Sequence, residues 1–195
     1  MYNAEISAGS LMPQESRRIA ALLLTHPTPE AWDAALKADN FLQKKTIATA
    51  RRQSRLIRNR LQTLDDQGLG LVATGPQEVM LQMLLVAAFR HSQLLADFYR
   101  TVYLEALRAY DAVLTANKWD AFLEECAKRD AAVASWSETT KAKLFQVLIR
   151  ILAEAKYLDS TRSRHITPQA IHPEVARYLM NQSDRRMFNL LQATS

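Results

Sequence analysis

Glycine scarcity is the strongest constraint on this fold: 4 glycines occur in 195 residues, roughly 2% where about 7% is usual. Glycine is the default residue for left-handed turns, hairpin turns and bulges, so a chain this poor in it has few places to reverse a strand. Helices joined by short polar connectors remain. Three of the four, Gly68, Gly70 and Gly75, fall in one span ahead of Pro76, and that span reads as the break between two lobes. The expectation is an all-α fold of two small helical lobes. Residues 1–67 form an N-terminal three-helix unit of helix-turn-helix type, and residues 76–195 a larger helical bundle.

Helix punctuation supplies the detail. Pro13 opens a first helix where its missing N–H costs nothing, with Ile19, Leu22 and Leu23 as the apolar face before His26-Pro27. Thr28, Pro29 and Glu30 read as cap and first turn of a second, running to about residue 39 with Trp32, Ala35 and Leu36 inward. Residues 40–45 are a connector, and Thr46 caps a third helix of about 20 residues with no proline or glycine before Gly68. Beyond Pro76, helical periodicity recurs over 77–89, 92–115, 118–132, 137–155 and 172–180, with a last helix capped by Ser183 or Asp184. In the 92–115 helix, Leu95, Phe98, Val102, Leu104 and Tyr110 form the apolar pattern. The 157–171 connector has room for a short β-hairpin, against which Pro168 argues if the strand is central.

Several function classes drop out. The apolar stretch 79–89 is about half the roughly 20 residues a spanning helix needs and contains Gln82, so it reads as a buried core helix and not a membrane span. No basic segment followed by an apolar one opens the sequence. A lone cysteine, Cys126, forms no internal disulfide, and four scattered histidines offer no ligand spacing, which points to a reducing cytoplasm and to no metal or cofactor. Glycine-rich phosphate loops, nucleophile elbows and zinc-protease motifs are missing from the sequence, so no enzyme is expected. Cys126 reads as core, and Trp32, Trp119 and Trp136 as core anchors.

Charge is where the sequence speaks about partners. The formal net charge is +5, yet residues 44–60 alone carry Lys44, Lys45, Arg51, Arg52, Arg55, Arg58 and Arg60 with no acid, a local +7. Residues 1–43 carry −2, residues 61–130 carry −4 and residues 131–195 carry +4. On a helix of 3.6 residues per turn, Ile47, Ala50, Ser54, Ile57, Leu61 and Leu64 form an inward stripe. Arg51, Arg55 and Arg58 lie beside it, with Arg52 and Asn59 continuing outward. Like charges at this spacing repel by a few tenths of a kcal/mol per pair, and an external anion relieves the repulsion. A guanidinium engages a phosphate through two parallel hydrogen bonds, so all seven cations are candidate contacts to double-stranded DNA. Arg162, Arg164, Arg185 and Arg186, with Lys156 and His165 nearby, are secondary candidates, the 157–171 segment lying against the duplex like a wing. The competing reading is a protein-interaction adaptor whose basic face docks an acidic partner.

The opening M-Y-N-A-E-I-S-A-G-S-L with P-Q-E-S-R-R-I-A, the segment F-L-Q-K-K-T-I-A-T-A-R-R-Q-S-R-L-I-R-N-R-L at 41–61, and Y-L-D-S-T-R-S-R-H-I-T-P-Q-A-I-H-P-E-V at 157–175 resemble the BrxA family of BREX bacteriophage-defence systems. The resemblance covers essentially the full length and is most specific at 41–61. It implies an all-helical cytoplasmic protein of two small lobes that binds double-stranded DNA without enzymatic activity, beside other BREX components such as a methyltransferase and an ATPase. No individual site residue is carried over from it.

Overall fold

The structure is a computed structural model and describes residues 1–37 and 46–192. Lys44 and Lys45, with the rest of the 40–45 connector, lie outside the described residues.

Local signals place the helix starts. Pro13 stands at the first turn of α1 (Pro13–Leu23), and α2 (Pro29–Lys37) follows the Thr28-Pro29-Glu30 start. Thr46 caps α3 (Ile47–Leu61) by accepting from Thr49 N. Asp65 accepts from Gly68 N at 2.8 Å and opens α4 (Asp66–Thr74). Pro76 precedes α5 (Gln77–His91), whose residues 79–89 are all buried. Ser92 then caps α6 (Gln93–Phe98), which continues through a π-helical turn, Tyr99–Tyr103, into α7 (Leu104–Arg108). The bundle is completed by α8 (Ala116–Ala127), α9 (Ala131–Ala134) and α10 (Glu138–Glu154). His172 Nδ1 accepts from Glu174 N to start α11 (Pro173–Asn181), and Asp184 accepts from Met187 N at 3.1 Å to start α12 (Arg185–Gln192).

The all-α class holds, with three departures in how the helices are cut. The third helix ends at Leu61, and the supposed break at residues 68–75 is largely α4, which packs on α1 and α5. Gly68 within it and Gly75 at its end serve close approach. A Cβ at Gly68 would stand 2.7 Å from the Tyr178 hydroxyl of α11, and one at Gly75 would stand 2.3 Å from Leu71 O. One apolar cluster runs on both sides of this span, from Ile6 and Ile19 through α5 to Leu190 and Leu191. Secondly, the helix expected over 92–115 stops at Arg108. Tyr110 takes a left-handed backbone, φ 57°, and is 94% exposed instead of inward. Thirdly, among the described residues 157–171 carries no hairpin. Two isolated antiparallel bridges, Val113 with His165 and Leu158 with Ile166, tie the segment down.

Among the described residues, no single helix is long and apolar enough to cross a membrane. α5 and the α6–α7 segment reach that composition only as a pair bent by 111°, and the core residues of both are buried.

Candidate nucleic-acid interface

Helix α3 is held to the core by Ser54, Leu56, Ile57 and Leu61, all buried. Three of these are the expected stripe. Leu56 widens it to an arc because α3 meets α1, α5 and the short 3-10 turn Glu5–Ala8. Turning away from that arc, Arg51, Arg52 and Arg55 are exposed, together with Ala48, Asn59 and Gln62. No carboxylate among the described residues forms an ion pair with any of the three arginines. The outward face of α3 is therefore a strip of guanidiniums with only small or neutral side chains between them.

The remaining arginines of α3 are used inside the protein. Arg58 is half-buried, its guanidinium 4.5 Å from the ring centroid of Trp32 in α2. A cation over an indole face is a packing interaction as much as an electrostatic one, and it keeps one edge of Arg58 for the core. Arg60 corrects the expectation that it flanks the phosphate-contacting face. It is only 4% exposed, and it donates from Nη1 to Ser10 O at 2.6 Å and from Nη2 to Gly9 O at 3.0 Å. Burial brings its pKa down to about 10, against which Glu154 works in the opposite sense.

Arg60 belongs to a clamp on the N-terminal segment. Glu154 of α10 accepts from Ser10 Oγ and Leu11 N, both at 2.8 Å, and from Met12 N at 3.2 Å. Upstream, Asp130 accepts from Tyr2 N at 2.6 Å, and Asp97 from the Tyr2 hydroxyl at 2.8 Å. His91, half-buried at the end of α5, stands 3.9 Å from Glu5; burial first, and Arg60 second, lower its pKa. Arg90 and Arg17 play comparable parts, donating to Thr63 O and Gly75 O, each at 2.9 Å. Arginine in this chain thus closes carbonyl ends of the backbone as well as forming a surface, and composition alone does not separate the two uses.

The secondary candidates do not form one patch with a single character. Arg162 is exposed, whereas Arg164 is half-buried with its guanidinium 5.9 Å from the Phe145 ring centroid. Arg185 and Arg186 are exposed on α12, and Arg186 donates to Gln93 Oε1 at 2.9 Å. Cys126 is buried, as expected of a core cysteine.

Comparison with known proteins gives a consistent pattern. The family model described as BrxA matches residues 1–183. A "BREX protein BrxA" of Paramagnetospirillum magneticum is 35% identical over 193 residues, covering 99% of this chain and 97% of the relative. A "BREX protein BrxA" of Escherichia coli O9:H4 is 33% identical over 188 residues, covering 96% and 88%. The crystal structure of an uncharacterized protein from Magnetospirillum magneticum superposes with a TM-score of 0.89 at 34% identity, covering 98% of each chain.

Proposed function

Because this chain belongs to the BrxA family, we propose that it is a non-enzymatic accessory protein of a BREX bacteriophage-defence system that binds double-stranded DNA in the cytoplasm. The observation that carries the reading is the outward face of α3, where Arg51, Arg52 and Arg55 stand exposed with no carboxylate partner among the described residues. Clustered cations without internal partners raise one another's energy, and a polyanion removes that penalty. Arg58 contributes its outer edge from its seat on Trp32. Lys44 and Lys45 precede the helix in sequence and extend the basic run, while Arg162, Arg164, Arg185 and Arg186 remain secondary contacts in this proposal.

Phosphate contacts of this kind position a protein on a duplex without reading its sequence. Three neutralised phosphates give a log–log salt slope of about −3. Fluorescence anisotropy with a labelled duplex across salt concentrations tests this directly. Arg51→Glu/Arg55→Glu is expected to weaken binding at least about ten-fold and to flatten the slope by about 2. Undiminished binding by a folded double variant removes α3 from the site. Absence of any duplex affinity at low salt moves the basic face to the adaptor role, with another BREX component as its acidic partner.

A further inference from the structure

Among the described residues, two depressions outside α3 differ in the charge of their linings. The larger, about 660 Å³, sits beside the π-helical turn and mixes Asp97, Glu105, Glu125 and Asp130 with Arg100, Lys118, Arg129 and the N-terminus of Met1. Arg100 is paired with Asp97, and Lys118 with Asp111, each at 2.7 Å. Such a lining prefers an ion of neither sign.

The groove between α10 and residues 161–164 is of another kind. It is about 380 Å³, lined by Phe145, Gln146, Ile149, Arg150, Thr161 and Arg164. Its polar lining consists of two guanidiniums, an amide and a hydroxyl, all able to donate hydrogen bonds, with no carboxylate among them. Phe145 and Ile149 provide an apolar floor, which strengthens a charge-assisted hydrogen bond made above it. Sequence context adds to this: residues 139–164 hold six cations against two carboxylates. Both carboxylates are engaged, Glu154 with the N-terminal segment and with Arg150 Nε, and Asp159 with Ser163 and His165.

Arg164 is also preorganised. Its backbone is left-handed, φ 57°, a conformation that a long L-side chain adopts only under constraint. The constraint is visible: Arg164 N donates to Ser160 O at 3.1 Å, and Leu114 N donates to Arg164 O at 3.0 Å. The guanidinium is thereby laid over Phe145, whose ring stacks on Trp119 at 5.8 Å. Arg164 Nε is buried and meets no acceptor. Across the groove, Arg150 uses Nε for Glu154, which leaves its terminal nitrogens for a ligand.

We infer that this groove is a phosphate-binding site, in which Arg150 and Arg164 hold the phosphate group of a nucleotide or of a nucleic-acid strand, with Gln146 and Thr161 as neutral donors. The inference does not rest on α3. It is tested on the full chain with two probes, deoxyadenosine monophosphate by titration calorimetry and a blunt labelled duplex by anisotropy. The duplex arm uses the Arg51→Glu/Arg55→Glu background, so that α3 does not mask the groove. Arg150→Gln/Arg164→Gln is expected to weaken binding of at least one probe roughly ten-fold, the loss of a bidentate charge-assisted contact. Thr161→Asp, on an exposed loop, places a carboxylate at the mouth and is expected to have the same effect without disturbing the Phe145 stack. Loss for both probes assigns any phosphomonoester or diester; loss for the duplex alone assigns a strand phosphate. If wild type does not bind the nucleotide and the Arg51→Glu/Arg55→Glu parent does not bind the duplex, or if both folded variants bind as their parents do, the groove is not a phosphate site.

Discussion

Replacing Arg60 with methionine separates the structural arginines of α3 from the proposed binding ones. The side chain is buried and supplies two hydrogen bonds from a charged donor, at 2.6 Å to Ser10 O and 3.0 Å to Gly9 O. Such bonds contribute about 1.5–3 kcal/mol each. Part of that is offset, because the guanidinium is desolvated in the folded state, as its lowered pKa records, and because methionine fills much of the volume. A net loss of about 3 kcal/mol remains, since the two carbonyls are left without donors and Glu154 loses a neighbouring cation. For a chain of this size each kcal/mol shifts the midpoint by about 2–4 °C, so Arg60→Met is expected to melt about 6–12 °C below wild type in scanning calorimetry. Arg51→Met/Arg55→Met changes only exposed side chains and is expected to melt within about 2 °C of wild type. Duplex affinity, measured well below both midpoints, should behave oppositely: retained within about two-fold by Arg60→Met and strongly weakened by the double variant. An Arg60→Met protein that melts with wild type yet loses duplex affinity refutes the assignment of Arg60 to the interior.

Gly68→Ala pushes a methyl group to 2.7 Å from the Tyr178 hydroxyl, an overpacking of about 1–3 kcal/mol that exceeds the roughly 1 kcal/mol gained in helix propensity. Gly70→Ala meets nothing within 4 Å and is expected to raise stability by about 0.5–1 kcal/mol. Urea unfolding of the pair checks both signs. At alkaline pH, burial raises the Tyr103 phenol above its ordinary value of about 10, so the folded state keeps a proton that the unfolded chain releases. The stability it contributes is complete below pH 10 and is lost as pH rises beyond it. Tyr103→Phe deletes the bond to Tyr157 O, is expected to lower neutral-pH stability by about 1 kcal/mol, and should make the alkaline decline shallower. An unchanged decline in chemical denaturation between pH 9 and 11 counts against this assignment.

Most helix starts were legible because they are local. A cap residue and its partner lie two or three positions apart, as at Thr46, Ser137 and His172, and helix period places Arg51, Arg52 and Arg55 on one outward flank. Where glycine stood for a break, the reading went astray for a reason that lies elsewhere in the chain. Gly68 is needed by Tyr178 of α11, and nothing near residue 68 announces that helix. Tyr110 fits the apolar pattern of its segment, yet α7 has already ended and the backbone turns left-handed, so the ring faces out.

The same division runs through α3. Its helical character, the inward residues Ser54, Ile57 and Leu61 and its excess of positive charge are properties of consecutive residues, and the sequence by itself determined them. Which arginines remain outside was decided only by tertiary structure. A helix has more than one buried side when several distant segments meet it, and the backbone at Gly9 and Ser10, about fifty positions away, covers the flank that carries Arg60. Buried carbonyls need a donor, so the arginine that faces them becomes a clamp, while Arg51, Arg52 and Arg55, which face no such segment among the described residues, stay exposed.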